Sequence, residues 1–188
     1  MNIDGKIYIY GSVENGIKLI DYVEILKGEN KREILKIFKK KYENDFIKSV
    51  RILLKHKSQY PAAILLSSGI DVLAKHYTEN ISGDDIRKKY IKFFKEYFKD
   101  LEEFGTDFYY KFRCSLVHSN SSVIDFTLDK EISKFDTQHD RKVINLNWLL
   151  GELQKIFNQY MKELESDDDL YGKFINVEKA LYIDNQNL

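Results

Sequence analysis

The chain has 188 residues, 43% apolar and 32% charged, which is enough for one buried core and ordinary for a globular fold. Its 30 basic residues balance 30 acidic ones, so net charge makes no case for a polyanionic partner. The single cysteine, Cys114, excludes a disulfide or a cysteine-rich zinc site within the chain, and no apolar run approaches the roughly 20 residues of a membrane span.

One proline and nine glycines favour long helices over a many-turned β fold, and 13 Tyr with 12 Phe supply bulk to fill the space between them. The start, Met1 to Gly5, lacks the basic and apolar regions of a signal peptide, so the expectation is a soluble cytoplasmic protein. Residues 1–188 read as one helical domain, with 1–30 as a strand or helix arm and 184–188 as a frayed tail.

Lys6 to Tyr10 alternates like a strand, and Glu14-Asn15-Gly16 would turn it into a hairpin with Ile17 to Val23. The competing and preferred reading is a helix capped by Ser12, with Ile17, Ile20, Val23 and Leu26 on one stripe that stops at Gly28. Next, Ile34, Leu35, Phe38, Tyr42, Phe46, Val50, Leu53 and Leu54 recur at helical spacing. The opposite face is basic. From Lys31 to Lys57 there are ten Lys or Arg against Glu33, Glu43 and Asp45, and Lys39, Lys40, Arg51 and Lys55 are its candidate RNA-binding residues.

Pro61 suits the first turn of a helix running to about Tyr77 that is apolar nearly all round, the expected centre of a bundle. Its one polar stripe is Ser67, Asp71 and Lys75. A carboxylate there is costly to bury unpaired, so Asp71 calls for Lys75 or an arginine from a neighbouring helix. Ser82 to Asp85 reads as loop and cap for an amphipathic helix from Ile86 to Leu101. Gly105 is expected to break it, and Thr106 to cap a helix from Asp107 to about His118. Val123–Leu128 and Val143–Leu146 read as a small hairpin around a charged excursion. Asn147 is the expected cap of a last long helix, and Leu170 to Leu181 adds a short one.

No metal site is legible: His56, His76, His118 and His139 fall in no ligand spacing, and no glycine-rich phosphate loop or cofactor signature is present. Cys114 shares a helical face with His118, but a small buried residue is the plainer reading. That leaves Arg113 and His118. An arginine's planar fork grips phosphate, and a histidine moves protons near neutral pH. The spacing alone is unspecific, since Arg51 and His56 repeat it on the lysine-rich face. The bland alternative is that Arg113 pairs with Asp71 across the bundle and His118 merely caps its helix.

Tyr60 to Asp71, followed by Phe108-Tyr-Tyr-Lys-Phe-Arg113-Cys-Ser-Leu-Val-His118, resembles the HEPN superfamily of small α-helical domains, and the Leu146-Asn147-Trp148 helix is similar in layout. The likeness runs from about Lys31 to Phe174. It implies an all-α, up-and-down bundle of four to five main helices with a small hairpin-like insertion. It also implies a metal-independent endoribonuclease, a toxin or antiviral defence effector that cuts RNA by attack of the 2′-hydroxyl. Arg113 would bind the phosphate and His118 would act as acid and base, with Cys114, Asp71 and Ser67 in support. The implied partners are RNA, a second copy of the chain across a shared cleft, and an antitoxin or operon-encoded protein. The family's usual residue after the arginine is Asn, Asp or His, and a thiol at Cys114 holds an imidazole poorly. Non-catalytic members of the group serve as modules binding RNA, nucleotide or a protein partner, which is the alternative reading.

Overall fold

Residues 2–3, 6–10, 16–118, 124–128, 134–138 and 141–184 are described by a computed structural model, and most of them are helical. At the start, β1 (Asn2–Ile3), β2 (Lys6–Tyr10) and β3 (Ile17–Lys18) form an antiparallel sheet that leads straight into α1 (Leu19–Lys27). Both readings of this stretch were therefore partly right. Ile17 pairs with Tyr10 instead of opening the helix, and α1 stops at Gly28 as expected. The Ser12 cap and most of the Glu14–Gly16 turn lie outside the described residues.

Asn30 caps α2 (Lys31–Tyr42) by accepting the Glu33 N–H at 3.2 Å. A π-helical stretch, Glu43–Lys48, carries the run on into α3 (Ser49–Lys55). The expected stripe is its inner face: Ile34, Leu35, Phe38, Tyr42, Val50 and Leu54 are buried. The run ends at His56, with Lys57 at φ 58°, and α4 (Gln59–Tyr77) begins two residues before Pro61, which sits harmlessly in its first turn.

Three expectations for the next stretch need correction. Helix α5 (Ile86–Tyr97) stops short of Leu101, which lies at non-helical φ −126° in a 3-10 turn, Lys99–Phe104. Gly105 does not break a helix but opens one: α6 (Gly105–Asp107), a π-helical stretch Phe108–Cys114 and α7 (Ser115–His118) run on without interruption. Gly105 is there for closeness, since a Cβ would lie 3.3 Å from the Phe94 ring. Thr106 is inside that run and caps nothing.

The insertion is a three-stranded sheet in the order β4 (Asp125–Thr127), β6 (Arg141–Asn145), β5 (Phe135–Gln138). The two expected segments do pair, Asp125 with Val143, but in parallel. The antiparallel partner of β6 is β5, inside what read as charged excursion. Alternating side chains identify a strand without giving its direction, and the residues between β4 and β6 are long enough to return on the far edge. Asn145, not Asn147, caps α8 (Leu146–Ser166), its side-chain oxygen accepting the Asn147 and Trp148 N–H groups. Asp167 caps α9 (Asp168–Tyr182), the expected short helix.

Helix α4 packs against α3, α5, α8 and α9, the central position its sequence calls for. The result is an all-α bundle around one aromatic-rich core. Gly69 marks a close approach: the Tyr42 hydroxyl donates to the Gly69 carbonyl at 3.0 Å, and a Cβ would meet that hydroxyl at 3.0 Å and Leu153 at 3.2 Å. Gly69→Ala is expected to lower stability by about 1–3 kcal/mol in denaturant titration, the cost of overpacking a filled core. Among the described residues, no helix is long and apolar enough to cross a membrane.

Candidate functional site

Arg113 stands in the π-helical turn, the kind of widened backbone found often at functional sites. Its Nε donates to Asp71 Oδ2 on α4 at 2.9 Å, the partner that a lone carboxylate on an apolar helix required. Its guanidinium carbon lies 5.6 Å from the centre of the Tyr109 ring, and Nη1 is 3.9 Å from the Cys114 sulfur. The side chain is thus oriented on three sides by residues of α4 and of its own helix.

Burial pushes the Asp71 carboxyl above its ordinary value even though Arg113 pulls it down. Burial likewise pushes the Tyr90 phenol up, Asp71 adds to the rise and Arg113 opposes it. Tyr90, on α5, is 1% exposed, and its hydroxyl has no hydrogen-bond partner among the described residues. It closes one wall of a pocket of about 260 Å³ that Arg113, Asp71 and Lys75 also line. Lys89 and Asn80 complete that wall: the Asn80 carboxamide oxygen accepts from Lys89 Nζ at 2.9 Å and from the Gly83 N–H at 3.1 Å.

His118 is the last residue of α7, and its side chain lies outside the described residues, as do His139 and the Ser119–Ser122 loop. The backbone beneath His118 is held by the Tyr60 hydroxyl, which donates to the Leu116 carbonyl at 3.0 Å. The other end of the helix is held by Asp107, paired with Lys111 at 3.0 Å and with Lys142 of β6. A hydrogen bond from Lys142, outweighing partial burial, holds the Asp107 carboxyl below its usual range. A carboxyl lowered on folding stabilises above its unfolded pKa and stops doing so as acid takes the pH through its folded value. Asp107→Asn is therefore expected to cost about 0.5–1 kcal/mol at neutral pH, with wild type and variant converging in acid. Thermal melts across pH check this.

Of the supporting residues, Ser67 is fully buried one turn before Asp71, with its hydroxyl unpartnered among the described residues. The basic residues are elsewhere. Lys39 and Lys40 line a groove of about 770 Å³ with Leu35 and Met161, Arg51 donates to Gln154 of α8 at 3.1 Å, and Lys55 is exposed at the end of α3. None of the four lines the Arg113 pocket. The sequence reading missed Asn80, in the turn after α4, and Tyr90 and Lys89, which carry no motif and meet the Arg113 pocket only through the packing of α5 on α4. Among the described residues, no group of three His, Cys, Asp or Glu side chains is placed to hold a metal.

Comparison with protein-family models, with curated proteins and with solved structures finds nothing that matches this chain.

Proposed function

We propose that this chain is a HEPN-like endoribonuclease that needs no metal, with Arg113 as phosphate ligand and His118 as acid and base. The observation that carries the reading is the setting of Arg113. Asp71 and Tyr109 fix it at the edge of an open pocket, yet the pair with Asp71 engages Nε and the thiol contact engages Nη1, which leaves Nη2 for a phosphate.

In the reaction, the 2′-oxygen attacks the adjacent phosphorus as histidine takes the 2′-hydroxyl proton. The phosphorus–O5′ bond breaks, and the leaving 5′-oxygen takes a proton. Arginine donates hydrogen bonds to the non-bridging oxygens as charge gathers there. The products are a 2′,3′-cyclic phosphate and a 5′-hydroxyl. Such a site acts as a toxin or defence effector, and a second copy of the chain would bring two motifs to one cleft.

The test is chemical. End-labelled RNA incubated with the protein in EDTA should yield those two termini, and a 2′-deoxy substitution at the cut site should block the cut there. Cleavage that leaves a 3′-hydroxyl, or that survives the deoxy substitution, contradicts the mechanism.

A second reading, a non-catalytic helical module binding RNA or a protein partner, is favoured by one observation. Arg113 turns inward to Asp71 and touches a thiol where a stronger hydrogen-bonding side chain would hold the imidazole. Binding of RNA without cleavage, weakened alike at every sequence by added salt, would select it.

A further inference from the structure

We infer that the pocket between α4 and α5 is a phosphate subsite beside Arg113, built by Lys75, Lys89, Tyr90 and the first turn of α5. Three cations, Lys75, Lys89 and Arg113, face it against one carboxylate, Asp71, and Arg113 already offsets that carboxylate. Lys75 has no ion-pair partner among the described residues, while Lys89 is held at the wall by Asn80.

Ile86, the first residue of α5, also lines the pocket. At the cap position Asp85 is left-handed at φ 52° and caps no N–H with its side chain, which turns instead to Lys88 at 3.2 Å. The first N–H groups of this 12-residue helix are thus uncapped by a side chain on the rim of a cationic pocket, where the helix dipole favours an anion.

The sign of a ligand is Lys75: a half-buried ammonium facing the pocket without an ion pair or hydrogen bond among the described residues is uncompensated until an anion enters. A phosphate in the pocket satisfies both ammonium groups and the helix terminus. About 260 Å³ suits a phosphate group with part of a sugar. Taking the phosphate as one from an RNA strand, next to the one being cut, rests on the ribonuclease reading. The affinity of the pocket for the anion does not.

The experiment is isothermal titration in EDTA at low salt with two probes, inorganic phosphate and an all-2′-deoxy pentanucleotide that offers phosphodiesters but cannot be cleaved. Lys75→Ala and Lys89→Ala should each weaken binding about tenfold, the loss of one charge-assisted hydrogen bond.

Binding of phosphate without the oligonucleotide supports a free phosphate or phosphomonoester as the occupant, and binding of both supports a strand. Lysine variants that bind as tightly as wild type overturn the subsite, as does failure of both probes to bind. If wild type cleaves RNA but binds neither probe, the subsite alone falls; if it binds but never cleaves, the ribonuclease reading alone falls.

Discussion

Glu178→Ala should lower stability by about 3–5 kcal/mol, the largest single-residue effect expected in this fold. Glu178 sits on α9 and is 4% exposed. One carboxylate oxygen lies 2.7 Å from His76 Nε2 on α4, and the other accepts from the Tyr22 hydroxyl on α1. His76 Nδ1 lies 2.8 Å from the Val72 carbonyl, which can only accept, so that nitrogen carries a proton. Removing the carboxylate strands an imidazole and a phenol, both nearly free of solvent, and unties three helices at once. Glu178→Gln keeps an oxygen and should cost less than half as much. Denaturant titration of the two variants separates loss of the network from loss of volume. Equal effects would mean that packing, not hydrogen bonding, dominates there.

The second large effect concerns Arg113→Ala, which should lower stability by about 2 kcal/mol at neutral pH by leaving Asp71 half-buried and unpaired. The pH dependence has a definite sign. Burial raises the folded pKa of Asp71, so this group's stabilising contribution is complete below its unfolded value and is lost as pH rises through the folded one. Without Arg113 the rise is greater. The penalty of the substitution should therefore shrink in acid, where Asp71 is protonated, and grow towards neutral pH. Arg113→Ala/Asp71→Ala should recover part of the loss, a coupling that a double-mutant cycle reads directly. Additive losses would show that the 2.9 Å pair is not an energetic unit. The stability cost also sets the control for any activity assay: inactivity of Arg113→Ala is informative only where the variant is folded.

The bundle was legible in the sequence because its signals are local. Apolar residues at 3.6 spacing marked the run through Leu54, and the nearly all-apolar stretch from Ala62 located the central helix. The isolated carboxylate Asp71 called for Lys75 or an arginine from a neighbouring helix, and Arg113 is that partner. What failed was non-local or broke the assumed period. The π-helical turns at Glu43–Lys48 and Phe108–Cys114 are invisible to a search at one fixed spacing. The direction of β4 against β6 depends on where the intervening chain goes, and Gly105 reads as a breaker until Phe94 is seen against it. His76 fell in no ligand spacing, and its partner Glu178 lies 102 positions away. Around Arg113 the same division holds: Asp71 showed its need of a cation from its own helix, whereas Tyr90 and Lys89 arrive on a helix whose register the sequence leaves open.

Arg113 and His118 acting together on RNA is the central claim, and His118→Ala tests it most directly because that substitution leaves the Arg113–Asp71 pair in place. Initial rates on a labelled RNA in EDTA should fall by about 100-fold or more relative to wild type, the usual worth of a positioned acid–base group, with the melting temperature little changed. A folded His118→Ala protein that cleaves as fast as wild type, or a wild type that does not cleave at all, would contradict it.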